Sequence, residues 1–155
     1  MFHVVLYQPE IPANTGNISR TCAVTGTVLH LIKPLGFSLE DKYLKRAGLD
    51  YWDLLDIRIH DSLEQFLERH GREKLWLVET GGSRFYHQAQ YPDGSFFVFG
   101  RETKGLPKEF LEAYRRQVVR VPMLPDPHAR SLNLSNTVAL VLYEGLRQLD
   151  FPGMK

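Results

Sequence analysis

Two periodicities share this chain. Short runs of β-branched, leucine and aromatic residues recur along it. The stretches between them place apolar residues three or four apart or are broken by glycine and proline. Phe2–Tyr7, Thr27–Ile32, Ile57–His60, Leu75–Glu79, Ser95–Phe99 and Val118–Val121 predict six strands. Between the first two, Asn14 or Thr15 can cap a helix that Gly26 ends in the left-handed conformation. Ile18, Cys22 and Val24 of that helix would face inward, and Asn17 and Arg20, three apart, would share a neighbouring face. A charged helix opens at Ser38 or Leu39, carries Glu40, Asp41, Lys42, Lys45 and Arg46, and closes at Gly48; Leu49–Trp52 is aromatic and irregular. Asp61 or Ser62 caps a helix over Leu63–His70, whose stripe is Leu63, Phe66 and Leu67, and Gly71 ends it. Pro107 begins another, through about Tyr114. The last helix runs from Thr137 through Glu144, almost wholly apolar, with Ser135 or Asn136 as its cap. Strands alternating with helices predict an open, mainly parallel six-stranded α/β sheet, in one domain over residues 1–155.

Composition narrows the function. The formal net charge is +1, so nothing marks a non-specific polyelectrolyte binder, although a local basic patch can still form. The single cysteine, Cys22, excludes an internal disulfide framework and a four-cysteine zinc site. Residues 2–7 are too short for a signal segment, and no apolar run approaches a membrane span, which places the chain in the cytoplasm.

In open α/β sheets ligands bind beyond the carboxyl ends of the strands. The last three strands run into glycine- or proline-rich loops: Glu79–Gly82, Gly100–Pro107 and Pro122–Ser131. Any one such loop can carry glycine simply to turn. Three together predict a pocket with a backbone floor. A polar stretch, Arg130–Asn136, leads directly into the last helix, where backbone amides converge. Dinucleotide and Walker glycine patterns are absent, as is a Gly-x-Ser-x-Gly elbow around Ser131 or Ser135. The six histidines, His3, His30, His60, His70, His87 and His128, are scattered without a ligand motif. Each reads as a core or surface histidine, and no metal is expected. Lys42/Lys45/Arg46 and Arg115/Arg116/Arg120 read first as solvated helix faces.

Three segments together resemble the motifs of the SPOUT superfamily of RNA methyltransferases. Asn14–Arg20 resembles the first, Phe99–Pro107 the second and Arg130–Asn136 the third, in that order and over essentially the whole chain. The short length and the start Val4–Pro12 resemble its small single-domain branch. Two features depart from the pattern: Leu124–Ala129 is a longer proline-rich insert, and Arg101 stands where proline is expected.

The resemblance implies a Rossmann-like sheet whose C-terminal segment threads a loop as a deep trefoil knot. It implies S-adenosylmethionine as cofactor, lined by Val78, Glu79, Thr80, Gly100, Glu102, Gly105, Val121, Met123, Ser131, Leu132 and Asn133. It also implies a homodimer in which Arg20 of one subunit faces the cofactor of the other as the catalytic residue. Asn14, Asn17, Arg20 and Tyr143 would face tRNA at its anticodon stem-loop. The implied reaction is 2′-O-methylation of a ribose, at wobble nucleotide 34 of leucine tRNAs. Two alternatives stay open: a related enzyme acting on ribosomal RNA or another tRNA position, and a non-catalytic RNA-binding protein of the same fold.

Overall fold

A computed structural model describes residues 1–42, 46, 53–129 and 131–155. Among them the sheet has strands β1 (His3–Tyr7), β2 (Val28–Ile32), β3 (Ile57–His60), β4 (Leu75–Val78), β5 (Arg84–Phe85), β6 (Phe96–Phe99) and β7 (Val118–Arg120). Their order is β3-β2-β1-β6-β4-β7-β5, and every pair is parallel. The sheet therefore has seven strands, not six. The extra strand, β5, is two residues long and pairs only with β7 at the edge, too short for any periodicity to mark it. The helices are α1 (Pro12–Thr25), α2 (Leu63–His70), α3 (Lys108–Ala113) and α4 (Leu134–Gln148). The expected charged helix up to Gly48, the stretch Leu49–Trp52 and Arg130 fall wholly or largely outside the described residues. Among the described residues no helix is long and apolar enough to cross a membrane.

A parallel sheet covered on both faces needs apolar residues on both, which is why the strands read as continuous apolar runs. Alternation then divides the core. Val4, Leu6, Leu29, Leu31, Phe97 and Phe99 pack on the face that carries Ile18 and Cys22 of α1 and Val138, Val141 and Leu142 of α4. Val5, Tyr7, Leu75, Leu77, Phe96 and Val98 pack on the other, against Phe66 of α2 and Phe110 of α3. Burial drives the Cys22 thiol far above its ordinary pKa and leaves it a small core residue. Val24 does not face inward: it is 52% exposed.

At the helix ends the structure agrees with the sequence in two places and departs from it in two. Gly26 ends α1 at φ 65°, as expected, and the Ser62 side chain accepts from Gln65 N at α2. Neither Asn14 nor Thr15 caps α1, because Pro12 is pre-set for the first turn and the helix begins there, after Ile11. Neither Ser135 nor Asn136 caps α4. Asn133 does, its Oδ1 accepting from Ser135 N at 2.9 Å and Asn136 N at 3.4 Å.

The histidines are not scattered in space. His3, His30, His60 and His70 converge where β1, β2, β3 and the end of α2 meet. Arg69 Nη1 lies 3.4 Å from His60 Nδ1. A guanidinium only donates, so this ring nitrogen accepts. His60 Nε2–H then donates to His30 Nδ1 at 2.9 Å, and His30 Nε2–H donates to His3 Nδ1 at 2.9 Å. One contact at the end thus assigns every tautomer in the row. Burial first, and neighbouring positive charge after it, lowers the pKa to about 4 for His3 and His60 and about 2 for His30.

Candidate active site

β4, β6 and β7 lie side by side, so the loops beyond their carboxyl ends meet. After β6 the chain doubles back on itself. Arg101 N donates to Gly105 O at 3.2 Å, and Gly105 N donates to Arg101 O at 2.9 Å. This tight return needs two glycines. A Cβ on Gly100 would stand 2.2 Å from the Gly105 carbonyl carbon, and Gly105 itself has φ +65°. A Cβ on Gly105 would also meet Glu79 Oε2 at 2.5 Å. Glu79, just past β4, holds the return in place: its Oε2 accepts from Leu106 N at 2.9 Å.

The same loop reaches the start of α1, whose N-cap residue Ile11 makes no side-chain cap. Glu102 binds the two amides just ahead of the helix. Its Oε1 accepts from Glu10 N at 2.9 Å, and its Oε2 accepts from Ile11 N at 2.8 Å and from Asn14 Nδ2 at 3.3 Å. A carboxylate is well placed there, at the positive end of the helix. Glu10 reciprocates, accepting from Thr103 N at 3.0 Å and Thr103 Oγ1 at 2.8 Å. Asn14 Oδ1 then accepts from Asn133 Nδ2 at 3.2 Å. Glu102, Asn14 and Asn133 thereby tie together the loop after β6, α1 and the cap of α4.

Around this triad lies a cavity of about 560 Å³, within the usual range for a small-molecule site. Val78, Glu79, Thr80, Gly100, Glu102, Gly105, Val121, Met123, Ser131, Leu132 and Asn133 all line it, together with Asn14. Both carboxylates in the lining are occupied by backbone donors, as described. Arg101 and Lys104 also line it, and the Arg101 guanidinium sits 5.6 Å from the centre of the Tyr7 ring.

The SpoU rRNA Methylase family matches residues 1–143. The chain belongs to the SpoU methylase family. Among its relatives is the tRNA (cytidine(34)-2′-O)-methyltransferase of Methylovorus glucosotrophus, 51% identical, with 99% of each chain covered. A solved structure concerned with 2-OH methylation of C/U34 on tRNA matches at TM-score 0.89 and 46% identity, covering 97% of each chain. An AdoMet-bound rRNA methyltransferase from Sinorhizobium meliloti matches at TM-score 0.83 and 25% identity, covering 96% of this chain and 56% of that one.

In this SpoU methylase three of the four residues expected to face tRNA lie off the cavity. Arg20 and Asn17 are exposed on α1 and Tyr143 is 43% exposed on α4, and none of the three lines it. Asn14 is buried and bonded to Glu102 and Asn133, so its side chain is not a free surface contact. Ile11, Thr103, Lys104, Leu134 and Thr137 line the cavity without having been singled out. Thr103 and Lys104 stand inside the second motif. Thr137 sits one helical turn beyond Asn133, and its Oγ1 donates to Asn133 O.

Proposed function

We propose that this chain is an S-adenosylmethionine-dependent tRNA 2′-O-methyltransferase acting on nucleotide 34. The observation that carries the reading is the cavity at the strand ends, walled by all three motif segments and braced by Glu102, Asn14 and Asn133. The names of relatives about half identical over nearly the whole chain point the same way. The cavity fits the cofactor in size. Its lining is mixed: polar side chains such as Glu79, Thr80 and Asn133 alternate with apolar Val78, Val121 and Leu132, and the apolar ones suit an adenine held through backbone groups.

When bound, S-adenosylmethionine supplies a methyl group already activated by its positive sulfur. The protein must then place a ribose hydroxyl in line and handle one proton. We assign Arg20 to that hydroxyl, acting in the cavity of a partner subunit within a homodimer. Its planar fork of donors suits a developing alkoxide better than it suits a proton acceptor. Asn17 and Tyr143 would face the tRNA, and Asn14 would position the site from within. Leucine tRNAs as substrate, a cytoplasmic location, a single methyltransferase domain and the knotted C-terminal segment complete the proposal.

Transfer of labelled methyl into bulk tRNA tests the class, and mapping ribose methylation in cells lacking the protein tests the position. Loss of the 2′-O-methyl at nucleotide 34 of leucine tRNAs is expected. Loss at another tRNA position or in ribosomal RNA would redirect the substrate. Absence of any transfer would leave an RNA-binding protein of this fold.

A further inference from the structure

The histidines at the β3 edge lie away from the cavity and have no part in the chemistry proposed for it. Among the described residues, His30, His60 and His70 each offer a ring nitrogen within 4.8 Å of the others. They come from β2, β3 and the last residue of α2, so the fold and not a local motif assembles them. His30 and His60 are buried, whereas His70 is partly exposed and gives the cluster a side open to solvent.

We propose that His30, His60 and His70 form a binding site for a divalent zinc-class cation. Three neutral imidazoles with one open position are a common zinc ligand set. Two ligands of a tetrahedral ion with bonds of about 2.0–2.1 Å stand about 3.4 Å apart. The His30 Nδ1 and His60 Nε2 pair, at 2.9 Å, would open by about half an ångström around such an ion while His70 closed in. His30 is already in the ligating tautomer. Its Nδ1 carries no proton, and its Nε2–H donates to His3 Nδ1, an outer-shell partner of the kind that orients a metal ligand.

His60 must change. Its Nε2 proton, now donated to His30, would move to Nδ1, where Arg69 at present donates. The ring stays neutral, and the Arg69 side chain, which is exposed, turns away. Charge does not forbid the ion. Arg58 is paired with Asp56 at 3.0 Å, and the Glu73 carboxylate acts on His70 against the positive charge of Arg69. The cluster therefore has two closed arrangements: a directional row of hydrogen bonds without metal, and a three-histidine site with it.

Titration of chelator-treated, full-length protein with zinc chloride at pH 7.5, followed by calorimetry and thermal unfolding, tests this. One saturable equivalent and a raised melting temperature are expected. His70→Gln, at a partly exposed helix end, should fold normally and weaken binding at least tenfold. His87→Gln and His128→Gln, both exposed and remote in sequence from the cluster, should bind as the parent does. Arg69→Gln should bind severalfold more tightly, because the competing donor is weakened. Absence of a saturable equivalent, unchanged affinity in His70→Gln, or unchanged or weaker binding in Arg69→Gln would overturn the proposal.

Discussion

At the scale of single residues, the cavity depends on Gly100 and Glu102, one for lacking a side chain and the other for the side chain it has. Gly100 lies against the backbone of Gly105 and Leu106, not against open space. A methyl there displaces the 101–105 return, and that return carries both Glu102 and one wall of the cavity. Gly100→Ala is expected to keep the fold and weaken S-adenosylmethionine at least about tenfold, about 1.4 kcal/mol. Calorimetry showing parent affinity in the folded variant would contradict this. Glu102 presents the opposite case, a side chain whose two oxygens are both spent on the start of α1. Glu102→Gln keeps one acceptor, turns the other into a donor facing a donor, and removes negative charge from a helix N-terminus. A stability loss of about 1 kcal/mol is expected, a few degrees in melting temperature for a chain of this size. An unchanged melting temperature would show that water replaces the lost contact. The cavity lining was legible in the sequence because part of it is contiguous in two motif segments and the rest, Val78 to Thr80 and Val121 to Met123, stands at the carboxyl ends of strands that read plainly as strands. The contacts of Glu102 were not. Glu102 serves amides ninety-odd positions away, and nothing in the local sequence announces a partner that arrives from another loop.

Elements were legible in proportion to their length and monotony. β1, β2, β4 and β6 are buried on both faces, and their apolar runs cannot be mistaken. β5 was invisible because two residues carry no period. The histidine row was invisible for a different reason: its members are 27 and 30 positions apart and become neighbours only when β1, β2 and β3 pair in register. That row fixes how the β3 edge responds to acid. Folded-state pKa values of about 2 for His30 and about 4 for His60 lie below the unfolded value near 6.5. Between those values the unfolded chain binds more protons, so stability is fully present above about pH 6.5 and declines as pH falls toward 4. Each fully buried histidine adds up to about 1.4 kcal/mol per pH unit to that slope. In chelator-treated protein the melting temperature should fall steadily from pH 6.5 to 5, and His60→Asn should flatten the slope even if it lowers the plateau. A melting temperature constant over that range would show that the row is protonated without penalty.

At the scale of the whole molecule, the cavity and the arginine proposed to act in it are separated on one chain. α1 packs on α4 through its buried face, while Arg20 and Asn17 point to solvent on another. Ile11, Val24, Leu140 and Tyr143 are also exposed on or beside these two helices, more apolar surface than a solvated helix pair needs. A two-fold dimer through these helices would cover that surface and carry each Arg20 toward the other subunit. The arrangement makes a prediction that neither variant alone can test. Arg20→Ala should fold and bind cofactor, yet lose about a hundredfold in single-turnover methylation with saturating tRNA, about 2–3 kcal/mol of transition-state stabilisation. Gly100→Ala should be slow because its cavity is disturbed, with its Arg20 intact. Unfolding and refolding the two together gives mixed dimers in about half of the population. In each mixed dimer one cavity is undamaged and receives the intact arginine of its partner; the other carries both lesions. Random pairing thus restores about a quarter of the parent's sites. Activity well above the sum of the separate variants, near that quarter, is the expected result. If Arg20 served the cavity of its own chain, every site in the mixture would still carry one lesion, and mixing would restore nothing.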